Sequence, residues 1–332
     1  MVLEVEETEQ RVISMNTSKT IPKLSIIIIT YNQEDVIRRA LDSLIKQIDY
    51  IYEICVSDDS SKDRTWDTLK EYKNRYPSVF NLNRNEPNLG IFQNIEQAWT
   101  MPSGDVVYQM AGDDEVPEGW FKTVMEFMEG IDWQHEKFCI YSNHQCVYPS
   151  GDSFVNKKNS RVNWQSGLLK QYEYGVLNGR GACFSIDVLR SFHKCSEGRS
   201  YIAENAQDGQ LHFFTEKAYY IPRIGNIYYS GIGVSSTMMA DKRRVEHENT
   251  MLYAFSFFKS LGEIFSPAYS RLPQFNIALK RFRHQQSLKN FCYVIKTYIA
   301  SFDLSVSLKN IDVRQFLFRI MRRIPHKKPI VL

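Results

Sequence analysis

Hydrophobic and polar positions follow a repeating pattern over the first third of the chain. Leu24 to Ile29 is a short, unbroken apolar run, as expected of a strand buried on both faces. Apolar residues then recur at helical spacing from Val36 to Ile48, with charged residues on the opposite face. The same order of strand, loop and helix recurs through strands near Tyr52 to Ser57 and Val79 to Asn83. This order predicts an α/β fold in which helices flank a mostly parallel sheet.

Polar and acidic side chains follow three of the predicted strands. In parallel α/β sheets, ligands bind beyond the carboxyl ends of the strands, so these side chains should lie along one edge. Two adjacent carboxylates at the end of a buried strand repel each other unless a cation or a hydrogen-bonding ligand offsets the charge. The simpler alternatives are a Gly-Asp-Asp turn and, for Asp59, a helix N-terminal cap. The residues concerned are Tyr31, Asp58, Asp59, Asp113 and Asp114.

Composition restricts the class of protein. The 332 residues include 43% hydrophobic positions, enough for one large domain or two ordinary ones. A formal net charge of only +3 argues against a general nucleic-acid binder. Six scattered cysteines without a CxxC pair are expected to be reduced thiols of a cytoplasmic protein.

The two ends of the chain differ from its middle. Residues 1–20 are acidic, lack periodicity and show no secretory signal, which predicts a disordered leader. No apolar run approaches the roughly 20 residues needed to span a bilayer, so membrane contact would be peripheral. The pattern of residues 241–332 predicts aromatic-rich helices, and residues 311–332 are predicted to form a basic amphipathic helix. That helix could contact the cytosolic face of a membrane, its own domain, or a second subunit in a homo-oligomer.

The loop after the first strand, ITYNQEDV, constrains the ligand. It has no glycine-rich phosphate cradle and no Lys-Ser/Thr pair, which speaks against a dinucleotide site and a P-loop. A nucleotidyltransferase should also carry a glycine-rich, basic loop at this point. A diphosphate bound at this edge would therefore need a metal ion.

Four stretches, in this order, resemble the consecutive motifs of the family 2 glycosyltransferases, which have the GT-A fold: LSIIIITYNQEDVIRRALDSLIKQ, EICVSDDSSKDRT, NEPNLGIFQN and GDVVYQMAGDDEVPEGWF. The resemblance implies a GT-A domain over residues 21–240. It also implies inverting, metal-dependent transfer from a nucleoside diphosphate sugar, with UDP the expected nucleotide. The implied acceptor is a glycan or a lipid-linked glycan in surface polysaccharide biosynthesis.

The resemblance also implies roles for individual residues on the donor side. Tyr31 and Asp59 match positions that hold the base, with Asp58 beside them on the same rim. Asn88 and Gly90 match the loop over the nucleotide. Asp113 is assigned to the ribose, and Asp114 to Mn²⁺ or Mg²⁺. Two departures are Gln93, where many relatives have an arginine, and Ala111, where an additional acid is usual.

On the acceptor side, Asp208 matches the general base, an aspartate expected to open a helix. Glu204 is the alternative base, and a helix cap is the alternative role for Asp208. The segment from Tyr228 to Ser236 resembles a loop that closes over donor and metal, with Ser235 or Ser236 in place of the usual histidine or arginine. His212 and His247 are interpreted as ordinary helix residues. A catalytically silent glycan-binding or scaffolding protein on the same fold is the remaining alternative.

Overall fold

The computed structural model describes residues 20–157, 179–194, 204–231 and 287–300, together with residues 278 and 282. Its strands are β1 (Leu24–Thr30), β2 (Glu53–Asp58), β3 (Phe80–Arg84), β4 (Val106–Ala111), β5 (Phe138–Val147), β6 (Ser153–Asn156), β7 (Cys183–Ser185) and β8 (Lys217–Tyr229). Its α-helices are α1 (Ile37–Ile45), α2 (Thr65–Arg75), α3 (Ile91–Ala98), α4 (Trp120–Met128), α5 (Ile186–Arg190), α6 (Glu204–Phe214) and α7 (Leu288–Ala300). A 3-10 turn, Ile48–Tyr50, follows α1.

The strands form one eight-stranded sheet in the order β3-β2-β1-β4-β7-β5-β6, with β8 paired to β5. Strands β1 to β4 are mutually parallel, and α1, α2 and α3 connect them. This half confirms the predicted mostly parallel α/β sheet flanked by helices. The chain direction reverses at β7, which is antiparallel to both β4 and β5.

The core lies on both faces of the sheet, as the unbroken apolar run in β1 predicted. Successive side chains of a strand point to opposite faces, so Ile26 and Ile28 face one layer while Ile27 faces the other. The first layer contains Leu41, Tyr108 and Trp120, and the second contains Val107, Tyr141 and Phe184. Burial on both faces fixes the register of the central strands and therefore where each strand ends.

The ends of the chain lie largely outside the described residues. The predicted leader, except for Thr20, and the predicted basic helix at 311–332 belong to the part that is not described. Within residues 241–332, helix α7 (Leu288–Ala300) lies in the described part of the chain. None of the described helices combines the length and apolar character that a membrane span requires.

Candidate functional site

The loops after β1 and β2 are tied to each other at the carboxyl edge of the sheet. The backbone N–H of Asn32 donates to Ser61 Oγ at 2.9 Å, and Asn32 Oδ1 accepts from the N–H of Lys62 at 2.8 Å. Tyr31 lies at the start of the first loop, and 40% of its surface is exposed. Tyr31, which is predicted to hold the base, therefore presents an accessible ring from a loop that hydrogen bonds hold in place.

Asp58 is fully buried at the end of β2 and interacts with protein groups. Its Oδ2 accepts the backbone N–H of Ser61 at 3.0 Å, and its Oδ1 accepts the hydroxyl of the same residue. Arg84 Nε lies 3.5 Å from Oδ2. Burial raises the pKa of Asp58, while the hydrogen bonds from Ser61 and the charge of Arg84 oppose that rise. These contacts shape the loop after β2, and the predicted donor-binding role of Asp58 stays a prediction.

Asp59 holds the loop between β3 and α3. Its Oδ1 accepts the N–H of Leu89 at 2.8 Å and the side-chain amide of Asn85 at 3.0 Å, and its Oδ2 accepts the N–H of Gly90 at 2.8 Å. The Asn88 amide donates to the backbone oxygen of Asp59 at 2.7 Å. Three residues predicted to bind the donor, Asp59, Asn88 and Gly90, therefore lie together. The carboxylate is directed to this loop and does not cap α2.

Two buried asparagines extend this network beneath the loop. Asn85 Nδ2 donates to Asn94 Oδ1 at 2.9 Å, and Asn94 Nδ2 donates to the backbone oxygen of Ser57 at 3.2 Å. Gln93, which stands where many relatives have an arginine, is exposed beside Asn94. Asn85 is not among the site residues that the sequence predicted. An asparagine two residues before a proline is common turn chemistry and gave no separate signal.

The acidic loop after β4 places its two aspartates in different environments. Asp113 is half-buried, and burial raises the pKa of its carboxyl, although the charges of Arg180 and Arg39 oppose that rise. Asp114 is 6% exposed, and its Oδ2 accepts the side-chain amide of Asn226, in β8, at 3.3 Å. The pair thus lies between the end of β4 and the second half of the sheet.

Arg39 of α1 fixes this acidic loop, although it is not among the site residues that the sequence predicted. Its Nη2 donates to the backbone oxygen of Asp113 at 2.7 Å, and its Nε lies 2.9 Å from Glu115 Oε1. The guanidinium carbon lies 3.7 Å from the ring centroid of Tyr229, whose hydroxyl donates to Glu115 Oε1 at 2.6 Å. Burial and this bond to Glu115 raise the pKa of Tyr229 to about 12. Helical spacing placed Arg39 on a polar face and gave no sign of these partners.

On the acceptor side, the structure corrects one expectation about Asp208. The helix was predicted to open at this aspartate, but α6 extends from Glu204, so Asp208 lies within the helix and does not cap it. The structure does not describe the side chains of Glu204 and Asp208, so neither carboxylate is placed relative to the acidic pair. His212, on the same helix, is buried, and its Nδ1 lies 2.7 Å from the Tyr141 hydroxyl. His247, Ser235 and Ser236 also belong to the part of the chain that is not described.

The donor set of the acidic loop suits a divalent cation shared with a ligand. Within the described ranges, no three His, Cys, Asp or Glu side chains come together as a closed metal cage. Mg²⁺ and similar hard cations commonly bind to one or two carboxylates and complete their coordination with phosphate oxygens and water. Asp113 and Asp114 provide such a partial set, which fits a cation that arrives with a diphosphate.

Known proteins resemble this chain in structure and in sequence. The crystal structure of Staphylococcus aureus TarS 1–349 in complex with UDP-GlcNAc superposes with a TM-score of 0.61 at 17% identity, over 93% of this chain and 94% of that chain. TarS, a poly(ribitol-phosphate) beta-N-acetylglucosaminyltransferase, is 25% identical over 210 residues, which are 60% of this chain and 35% of TarS. Chondroitin synthase of Pasteurella multocida is 25% identical over 189 residues, or 57% of this chain and 18% of that protein.

The described sheet therefore has the GT-A fold of glycosyltransferases. Residues 25–173 match the sequence model described as Glycosyl transferase family 2. The match falls on the part of the chain that carries the four motifs, and the family is the one that those motifs predicted. The matched stretches span about a third or less of the length of the curated relatives.

Proposed function

We propose that the protein is an inverting, metal-dependent glycosyltransferase that moves a sugar from a UDP-linked donor to a glycan or lipid-linked glycan acceptor. The observation that carries this proposal is the convergence of Tyr31, Asp59 and the acidic pair along one edge of four parallel strands. Each follows a different strand, and hydrogen bonds join the loops that present Tyr31 and Asp59. This edge is where parallel α/β sheets bind nucleotides.

The nucleotide would lie against the loops after β1, β2 and β3. The exposed ring of Tyr31 can stack on a base. Asp59 uses three acceptor positions on donors of the loop between β3 and α3, and a carboxylate has about four, so one remains for a base N–H. The TarS structures with UDP-GlcNAc and with UDP support a uridine nucleotide as the donor.

A divalent cation, Mn²⁺ or Mg²⁺, would be held by the acidic pair, with Asp114 as the predicted ligand and Asp113 toward the ribose. When bound, such a cation neutralises charge on the departing diphosphate. The protein's own contribution is to hold the two carboxylates still. Asn226 does so from β8 by a bond to the Asp114 carboxylate, and Arg39 contributes from α1 by a bond to the backbone oxygen of Asp113.

Inversion requires a base on the face of the sugar opposite the leaving diphosphate. Asp208 is the proposed base, taking the proton of the acceptor hydroxyl as that oxygen attacks the anomeric carbon. Helix α6 ends at Phe214, three residues before β8, the strand that carries Asn226. Strand β8 therefore follows the helix that carries the proposed base, and it is also the strand that contacts Asp114 through Asn226.

Release of UDP from a panel of UDP-sugars, measured with Mn²⁺ and with or without glycan acceptors, tests this function. The expected result is slow donor hydrolysis by the wild type that Asp114→Ala abolishes and that a matching acceptor accelerates. Calorimetry on the same panel supplies the second measurement. Failure of every nucleotide sugar to bind would favour a catalytically silent glycan-binding protein and overturn the proposal.

A further inference from the structure

Arg180 lies three residues before β7, next to backbone that is packed tightly against two other strands. Gly181 has a φ of +74°, and a Cβ there would lie 2.6 Å from Ser142 Oγ and 3.1 Å from the Cβ of Asn226. Ser142 also donates its hydroxyl to the backbone oxygen of Gly181 at 2.8 Å. These contacts with β5 and β8 leave no room for a side chain at position 181. The Cα of Arg180 is consequently fixed relative to the second half of the sheet.

The side chain of Arg180 stacks on an aromatic ring of β8. Its guanidinium carbon lies 4.0 Å from the ring centroid of Tyr228, and Tyr228 pairs with Cys146 in the β5–β8 ladder. A guanidinium stacked on a ring keeps its N–H donors at the edge of its plane, in the fork arrangement that matches phosphate oxygens. Stacking on Tyr228 therefore orients the guanidinium through its face, and the contact with the ring does not involve the N–H donors at its edge.

This cation lies beside the acidic pair. Asn226, which contacts Gly181, donates its side-chain amide to Asp114, so only one residue separates the backbone of Gly181 from that carboxylate. The positive charge of Arg180 also acts on Asp113, where it opposes the rise in pKa that burial causes.

A diphosphate placed beside two carboxylates would meet strong repulsion, and one divalent ion offsets only part of that charge. The segment from Ile224 to Met239, which includes Asn226, contains no arginine, lysine or histidine. We propose that Arg180 binds the diphosphate of the donor and supplies the second cation of the site. This inference rests on the proposed function, since it assumes a nucleoside diphosphate donor.

Binding of UDP and of uridine, measured by calorimetry with and without Mn²⁺, tests the proposal. Losing a charge-assisted hydrogen bond should weaken UDP binding by Arg180→Gln at least about tenfold, with uridine binding unchanged. Arg180→Lys keeps the charge and should lose less. Arg223→Gln is the matched control, because Arg223 is exposed and donates to Thr123 Oγ1 at 2.6 Å. Thermal unfolding of each variant shows whether it is folded.

The outcomes separate this inference from the function on which it rests. Wild-type protein that binds UDP more tightly than uridine, together with an equal UDP affinity in Arg180→Gln, overturns the role of Arg180 and leaves the transferase proposal standing. Wild-type protein that does not distinguish UDP from uridine overturns both. A parallel loss of UDP and uridine binding would mean that Arg180 supports the fold, and it would also overturn the diphosphate contact.

Discussion

Arg39 and Asp113 are joined by a hydrogen bond from Arg39 Nη2 to the backbone oxygen of Asp113, 2.7 Å long. The bond connects the first helix to the acidic loop, 74 positions later in the chain. Because Arg39 also contacts Glu115 and the ring of Tyr229, one side chain links three parts of the candidate site. A charged residue of an amphipathic helix thus has a positioning role at the site.

Replacing Arg39 with methionine should loosen the acidic loop. We expect the free energy of unfolding to fall by about 1–3 kcal/mol, the usual cost of losing hydrogen bonds to a charged group. The affinity for Mn²⁺ in the presence of UDP, measured by calorimetry, should fall as well. Arg38→Met is the control, since Arg38 is an exposed neighbour paired with Glu71 at 2.8 Å. Equal Mn²⁺ affinities in the two variants would contradict a positioning role for Arg39.

Asp59→Asn should release the loop between β3 and α3. The substitution replaces an acceptor oxygen with an NH₂ group that faces the backbone N–H of Leu89 or Gly90. An unsatisfied donor there should cost about 1–3 kcal/mol of stability and speed amide hydrogen exchange at Leu89 and Gly90. The exposed Asp67, paired with Lys70 at 2.8 Å, offers Asp67→Asn as the control. Unchanged exchange in Asp59→Asn would show that the loop is held by other contacts.

Asp208→Asn should fold, bind donor normally and transfer sugar at least about a hundredfold more slowly, because general-base assistance is lost. Acceptor-dependent transfer at saturating donor is the measurement, with donor affinity determined separately. Glu204→Gln is the matched variant from the same helix. If Asp208→Asn transfers at a near-normal rate and Glu204→Gln does not, Glu204 is the base.

Glu53 should make stability depend on pH in the acid range. Burial alone would raise the pKa of Glu53, but hydrogen bonds from the Ser103 N–H and from the hydroxyls of Ser25 and Ser103 outweigh burial, so the pKa lies below its ordinary value of 4.5. The stabilisation from the ionised form is therefore complete above that value and disappears as pH falls through the folded-state pKa.

The corresponding experiment compares urea unfolding of the wild type and Glu53→Gln from about pH 6 to about pH 3. The stability difference should be largest at the upper end and shrink toward the lower end. Glu126→Gln, at an exposed position 3.8 Å from Lys122, is the control and should show little difference at either end. A difference between wild type and Glu53→Gln that stays constant with pH would contradict this account.

The first half of the fold could be predicted from the sequence because its signals are local. An unbroken apolar run identified β1 to within one residue, and helical spacing identified α1. Strand ends then followed from where polar residues begin, which brought Tyr31, Asp59, Asp113 and Asp114 to one edge. Each of these inferences needs only residues that are neighbours in the chain.

The contacts that hold the site could not be predicted in this way, because they join residues far apart in sequence. Asn226 and Asp114 are separated by 112 positions, and nothing near either one indicates the other. The start of α6 was misplaced since Asp208 followed by Gly209 resembles a helix boundary, while the helix extends from Glu204. The expected roles of Asp58 and Asp208, and the metal assignment to Asp114, stay predictions.

Strand β7 is three residues long and pairs with β4, which precedes it by more than 70 positions. By contrast, β1 pairs with β2 and β2 with β3, and β4 completes this parallel unit by pairing with β1. On a ribosome, the parallel unit is complete once β4 has emerged, whereas β4 acquires its β7 neighbour only after much further synthesis. We expect the half of the sheet formed by β1 to β4 to become protease-resistant first during translation, with β5 to β8 docking onto it afterwards.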